Sequence, residues 1–262
     1  MDAATRDYLR ALNRRFYDHF ASHFSDTRQH AWPGWQSIPR HLNTAQPKPT
    51  VLDVGCGNGR FATFLSRSWR QDLRYVGLDG SSELLTQARA RADDVARLEL
   101  LQADVVRDRL TEHLGDRRFD LVALFGVLHH VPGHGARRDL LRRLARRLTP
   151  GGILAVSIWR LDRTPNFSRK VVPWQDYLAR GGGAPPLEGC PPGSKLDLEP
   201  GDTLLSWAGQ RDVPRYCHFP SNAEIDGWIE AVGASLIDRF PADGPTGRDN
   251  LYLLFRHSGK GP

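Results

Sequence analysis

The stretch that most constrains what this chain can fold into is Val51-Leu52-Asp53-Val54-Gly55-Cys56-Gly57-Asn58-Gly59-Arg60. A strand-length apolar run ends in a Gly-x-Gly-x-Gly turn, and apolar residues at helical spacing (Phe61, Phe64, Leu65) come directly after it. Strand, glycine turn and helix in that order let bare backbone approach a nucleotide-like ligand. The first glycine allows the tight turn, the second leaves room for the ligand, and the third lets the helix pack. Cys56, inside the turn, reads as a small residue that fits. A glycine turn alone is a weak signal, so its meaning depends on the rest of the chain.

From that turn onward the pattern alternates. Strands are expected at 51–55, 75–79, 98–103, 119–125 and 152–158, with helices at 59–69, 81–92 and 136–148 and a weaker one near 106–114. Such alternation implies a mostly parallel sheet covered by helices on both faces, with ligands at the carboxyl ends of the strands. The residues at each strand end are therefore informative. Asp79 and Gly80 end the second, with the acid about twenty residues past the glycines, where a ribose diol would lie. Asp104 and Val105 come after the third, an acid beside an apolar residue, suited to an adenine amino group and ring face. Phe125 ends the fourth and leads into Gly126, Val127, Leu128, His129 and His130.

Outside this core, residues 5–24 carry apolar positions at helical spacing and predict an amphipathic helix laid on the main domain. The next segment is a loop rich in Arg, His and Trp, either packed by Trp32 and Trp35 or lining a polar pocket. Residues 160–218 are punctuated by Gly181-Gly182-Gly183 and Pro191-Pro192-Gly193, and read as an irregular insertion forming a lid. A helix at 221–232 opens with the capping-box pattern Ser221-Asn222-Ala223-Glu224. Strands at 235–240 and 250–255 then form an antiparallel pair at the sheet edge. The 262 residues thus make one domain: N-terminal helix and substrate loop (1–45), ligand-binding core (51–159), insertion (160–218), and C-terminal helix and edge strands (219–257). The run Arg137-Arg138, Arg142-Arg143, Arg146-Arg147 reads as a solvated helix face.

Composition excludes several classes. No apolar run reaches the roughly 18 residues of a membrane span, and the polar N-terminus does not read as a signal peptide, so a cytoplasmic protein without membrane partners is expected. Three scattered cysteines, Cys56, Cys190 and Cys217, suggest neither a disulfide framework nor a metal site. The net charge of +6 permits attraction to a polyanion without demonstrating it.

A dinucleotide enzyme would show Gly-x-Gly-x-x-Gly, but here the third glycine arrives one residue early. The set Asp53-x-Gly55-x-Gly57-x-Gly59, Asp79, Ala103-Asp104 and Leu148-Thr149-Pro150-Gly151-Gly152 resembles class I S-adenosylmethionine-dependent methyltransferases over about 51–159. The resemblance implies a Rossmann-like α/β fold with a seven-stranded, mostly parallel sheet and an antiparallel C-terminal strand. It also implies S-adenosylmethionine as cofactor, held by Asp53, Gly55, Cys56, Gly57, Asn58, Gly59, Asp79, Gly80, Asp104, Val105 and Phe125. Phe24-Ser25-Asp26-Thr27-Arg28 with Trp32-Pro33, Val127-Leu128-His129-His130, Arg215-Tyr216-Cys217-His218-Phe219 and Arg248-Asp249-Asn250 further resemble the tRNA wobble-uridine carboxyl methyltransferases. That family esterifies 5-carboxymethyluridine, which implies tRNA as partner, and its eukaryotic members work with a small zinc-binding activator.

A carboxylate acceptor is consistent with the residue types. With a pKa near 4 it is already an ionised nucleophile at pH 7 and needs alignment and desolvation more than a base. Arg28, His129, His130, Arg215, Tyr216 and Asn250 supply the donors and cations such a group requires. The competing readings are an O-methyltransferase for a small metabolite and a catalytically silent adenosine-binding module.

Overall fold

The alternation of apolar runs and helical spacing is built as expected. A computed structural model describes residues 1–26, 29–43, 45, 47–69, 72–92, 94–95, 97–106, 110–179 and 195–259, with 21–26 described by backbone only. In chain order the elements are α1 (Ala3–Asp26), β1 (Thr50–Val54), α2 (Arg60–Ser68), β2 (Arg74–Asp79), α3 (Ser82–Arg91), β3 (Arg97–Gln102), α4 (Leu110–Leu114), β4 (Phe119–Leu124), α5 (His134–Ala145) and β5 (Leu148–Trp159). They continue with α6 (Phe167–Lys170), β6 (Val171–Val172), α7 (Trp174–Ala179), β7 (Asp202–Trp207), β8 (Gln210–His218), α8 (Asn222–Ala231), β9 (Ser235–Ala242) and β10 (Asn250–Arg256).

Seven strands form one sheet in the order β3-β2-β1-β4-β5-β10-β9, and β10 alone runs against its neighbours. Side chains alternate across it. Leu52, Val54, Val122, Leu124, Leu154 and Val156 meet α5 and α8 through Leu140, Leu144, Ile225 and Trp228. Val51, Leu121, Ala123, Ile153 and Ala155 meet α2 and the 33–42 segment through Phe61, Leu65, Trp35 and Ile38. Burial on both faces is why these strands read as continuous apolar runs. Strand order reverses between β1 and β4, so a crevice opens at their carboxyl ends.

The insertion departs from the expectation of irregularity. Its described part contains a second, three-stranded antiparallel sheet, β6-β7-β8. Pro214 sits inside β8, which is tolerated because β8 is an edge strand. The glycine- and proline-rich stretch 180–194 lies outside the described residues. The apolar stripe of α1 (Tyr8, Leu9, Leu12) packs on this small sheet, against Val172, Leu204 and Tyr216, rather than on the main one. Helix α1 therefore stands between the small sheet and the crevice.

Helix α8 begins as its sequence predicts, with Ser221 Oγ accepting the Glu224 N–H at 3.1 Å. The Glu224 carboxylate does not complete a capping box; it turns to Arg137 and His218. Arg137 is the exception to the solvated arginine face, being fully buried.

Candidate active site

The glycine turn takes the conformation its residues demand. Gly55, Gly57 and Gly59 all have positive φ, of 76°, 54° and 76°. The Gly55 and Cys56 N–H groups donate to the Leu78 carbonyl at 2.7 and 2.9 Å, tying the turn to the end of β2. A Cβ at Gly55 would lie 2.2 Å from Val127, and one at Gly59 would lie 3.0 Å from Ala88 of α3. A Cβ at Gly57 would meet no protein atom within 4 Å, because it would project into the crevice. Two glycines are thus needed for packing, while Gly57 leaves its side of the crevice open. Cys56 fills the space left by Gly77, where a Cβ would be 2.8 Å from its sulfur.

The crevice is a cavity of about 640 Å³, within the range of small-molecule cofactor sites. One end is lined by Asp53, Gly55, Cys56, Gly57, Asn58, Asp79, Gly80, Asp104, Val105 and Phe125. Asp79 accepts the Gly57 N–H and the Ser81 N–H, both at 2.9 Å, so the carboxylate fixes the turn it faces. Burial raises its pKa, while these backbone donors act in the opposite direction. Asp53 is buried and accepts from the Tyr75 hydroxyl. Burial lifts its pKa to about 7 against the lowering effect of that hydrogen bond. Asp104 caps its own turn through the Val106 N–H at 3.1 Å and leaves Val105 and Phe125 as apolar flanks. An open position at Gly57, acids at two strand ends and an apolar slot between them fit S-adenosylmethionine.

The other end is walled by α1. Arg10, Asn13, Arg14, Tyr17 and Asp18 line it at helical spacing, opposite the buried apolar stripe. The apolar stripe is the louder signal in the sequence; this second face shows there only as polar residues at i, i+3, i+4, i+7 and i+8, and was missed. His130 enters from the turn after β4. Its Nδ1 lies 2.8 Å from the Tyr216 carbonyl and its Nε2 2.8 Å from the Tyr17 hydroxyl. Asn13 Oδ1 accepts the Tyr216 N–H at 2.8 Å and so joins α1 to β8 at the same place. Trp159, at the end of β5, and Trp32 complete the wall, while Trp35 is a core residue against Phe61 and Phe125.

Not every candidate substrate residue reaches the crevice. Of the two histidines only His130 lines it; His129 is buried, with its ring stacked on Trp159 at 3.6 Å. The Tyr216 side chain points away, its hydroxyl donating to Asp202 at 2.8 Å. Asn250 is buried and donates to Asp243, which also accepts from Tyr252 and the Gly34 N–H, so it joins the edge strands to the 33–37 turn. Arg215 is buried beside Trp159, among the rings of Phe16, Trp159 and Trp207. Arg28 lies outside the described residues.

Residues 52–154, which carry the glycine turn and the acids at the strand ends, match the family model described as a methyltransferase domain. Over that part the chain is similar to methyltransferase domains, and its sheet has the Rossmann-like strand order. Among curated relatives, it is 23% identical to a Schizosaccharomyces pombe tRNA (carboxymethyluridine(34)-5-O)-methyltransferase over 259 residues, covering 95% of this chain and 97% of that protein. A Mus musculus tRNA (carboxymethyluridine(34)-5-O)-methyltransferase ALKBH8 is 31% identical over 147 residues, 56% of this chain and 20% of that protein. The chain spans 36% of a Bos taurus "Probable tRNA methyltransferase 9B", to which it is 28% identical over 68% of its own length. Among solved folds, Burkholderia thailandensis 1,6-didemethyltoxoflavin-N1-methyltransferase superposes with a TM-score of 0.61 at 17% identity, covering 98% of this chain and 92% of that one. A methyltransferase in complex with the Haloferax volcanii Trm112 methyltransferase activator superposes with a TM-score of 0.58 at 16% identity, covering 95% and 99%. Among the described residues no helix is long and apolar enough to cross a membrane.

Proposed function

We propose that the chain is an S-adenosylmethionine-dependent methyltransferase that acts in the cytoplasm on tRNA, esterifying the carboxylate of a 5-carboxymethyl-type wobble uridine. The observation that carries the reading is Arg215. Its side chain is 4% exposed, and its Nε and Nη1 atoms have no hydrogen-bond partner among the described residues. A buried cation without a counter-ion costs several kcal/mol. The three aromatic faces around it, 4.8 to 5.2 Å from Cζ, offset only part of that. Arg215 does not itself line the crevice, but Trp159, one of those rings, does, so an anionic acceptor entering there would sit across that ring and lower the cost by longer-range attraction. An amine or a neutral hydroxyl would not. The names of the Schizosaccharomyces pombe and Mus musculus relatives support tRNA as the bearer of that carboxylate.

When bound, S-adenosylmethionine supplies a methyl group activated on a sulfonium. The chain's residues hold and orient. Gly55–Gly59, Asp79 and the Val105–Phe125 slot form the donor end, while Tyr17, His130, Arg10 and Arg14 face the acceptor. An ionised carboxylate needs no proton removed, which suits an acceptor end rich in donors. A small zinc-binding activator belongs to the proposal, since a structural neighbour was solved bound to an activator and the family resemblance implies one.

The test is incubation with methyl-labelled S-adenosylmethionine and either tRNA bearing 5-carboxymethyluridine or a pool of small carboxylic acids, with and without an added activator. Base-labile label in tRNA is the expected result. Label confined to the small acids would overturn the tRNA assignment.

A further inference from the structure

Two of the contacts of His130 differ in character, and together they bear on what Tyr17 presents to the crevice. A backbone carbonyl can only accept, so the Tyr216 carbonyl, 2.8 Å from Nδ1, requires a proton on that nitrogen. The Asn13 amide nitrogen, 3.3 Å from Nδ1, is itself a donor and would favour the opposite tautomer, but it is the longer of the two contacts and yields to the carbonyl. In neutral imidazole Nε2 then carries the lone pair. The Tyr17 hydroxyl, 2.8 Å away, donates its one proton to Nε2. Tyr17 then turns oxygen lone pairs, rather than that proton, toward the crevice. Once Nε2 is protonated the direction reverses: Nε2–H donates to the phenolic oxygen, and the Tyr17 proton turns toward the bound acceptor.

We propose that Tyr17 is a substrate-contacting donor whose polarity is set by His130, so that a carboxylate acceptor binds together with one proton taken up on His130. This rests on the carboxylate reading above and deepens it. A carboxylate is acceptor-only and is repelled by the lone-pair state of Tyr17, but it matches the donor state. An alcohol or amine acceptor would favour the opposite state, with neutral His130 drawing a proton through Tyr17.

The surroundings of His130 are mixed in charge. From α1, Arg10, Arg14 and Asp18 line the same end of the crevice, with Arg10 paired to Asp7 at 3.1 Å and Arg14 to Asp104 at 4.0 Å. From β8, the Cys217 sulfur is 3.9 Å from Nδ1; burial pushes its thiol up to about 12, so it stays neutral. His129 contacts the ring at 4.1 Å between centroids, and Trp159 approaches edge-on at 5.9 Å. A substrate carboxylate arriving at Tyr17 adds a negative charge to this end and stabilises the imidazolium behind it. Balance is kept through the reaction. The carboxylate oxygen forms the bond to the methyl carbon, and the carbon–sulfur electron pair leaves with the sulfur. The acceptor becomes a neutral ester. With that charge gone the imidazolium loses its stabilisation, and the proton is released with the product.

The experiment is the pH profile of kcat/KM with an anticodon stem-loop carrying 5-carboxymethyluridine, for wild type and Tyr17→Phe. Proton uptake is measured in parallel by calorimetry of stem-loop binding to the wild type in two buffers of different ionisation enthalpy. Wild-type kcat/KM falls about tenfold per pH unit once His130 is neutral, and binding takes up one proton. Tyr17→Phe loses roughly 10- to 100-fold at the low-pH end, the effect of one charge-assisted hydrogen bond. It also flattens the profile and leaves cofactor affinity unchanged. Ester formation with a flat or rising wild-type profile, or binding without proton uptake, overturns the switch while leaving the carboxylate reading intact. Absence of ester at every pH overturns both.

Discussion

Arg137→Met tests whether the wall of the active site is held to the core by charge. Arg137 Nη2 lies 2.6 Å from Glu199 and 3.0 Å from Glu224, and Nη1 donates to the Val131 carbonyl at 2.9 Å. His218 bridges Asp202 at 2.8 Å and Glu224 at 2.9 Å. Three carboxylates thus share two cations, and Met at 137 would leave three against one. Breaking a buried pair by removing one partner costs about 3–5 kcal/mol, and the orphaned carbonyl adds about 1 kcal/mol. For a chain of this size each kcal/mol moves Tm by roughly 2–4 °C, so a fall on the order of 10–20 °C is expected by calorimetry. A double-mutant cycle with Glu224→Gln should give a coupling above about 1 kcal/mol. A fall below roughly 3 °C, or additivity in the cycle, would refute the argument.

The same network has a pH signature. Hydrogen bonds to Asp202 and Glu224 outweigh burial and raise the His218 pKa above 6.5, so its contribution is complete below 6.5 and fades as pH rises through the folded value. Glu224, held at about 2 by His218 and Arg137 against its burial, contributes fully above 4.5 and loses this as pH falls toward 2. The network therefore stabilises most between pH 4.5 and 6.5, and Arg137→Met should weaken its acid side, through Glu224, but not its basic side, because Arg137 holds the His218 pKa down.

Three further outcomes are expected. Gly57→Ala places a methyl in the cofactor's space and should weaken S-adenosylmethionine binding roughly tenfold or more by calorimetry, with a small Tm loss from the positive φ. Asp79→Asn sets an amide N–H against a backbone N–H, costing about 1–3 kcal/mol in the fixed turn; cofactor affinity should fall, and unchanged affinity would remove Asp79 from the site. Asp53→Asn should raise Tm by several degrees at pH 8 and not at pH 4. Its folded pKa of about 7 lies above the ordinary 3.8, so the ionised group costs stability as pH rises between these values.

The cofactor half was legible because its signals are local. Gly55, Gly57 and Gly59 announce a backbone conformation, and the apolar runs from Val51 to Ile158 announce burial on two faces. The acceptor half was not, because its logic is long-range. Arg137 looks like any helix-surface arginine until Glu199 and Glu224 are brought to it from 62 and 87 residues away. β8 carries Pro214, Arg215 and His218, which resemble loop residues because their buried partners lie on other elements. Tyr216 and Asn250 have site-like side chains, yet each is consumed by a structural acid, Asp202 and Asp243. The polar face of α1 was visible but carries no mark separating a crevice wall from a solvated face.

The position of α1 also bears on the order in which the molecule assembles. Asn13 bonds to Tyr216 across 203 residues, and Thr5 to Asp197 across 192. The β1–α2–β2 unit with its glycine turn closes over a few tens of residues, so loop closure favours its early formation. The acceptor wall forms only when the first helix meets a strand from the last quarter of the chain. Amide exchange should accordingly find the α1–β8 junction opening at lower free energy than β1 or β4. The donor pocket would then persist in partly opened molecules that have lost the means to recognise an acceptor.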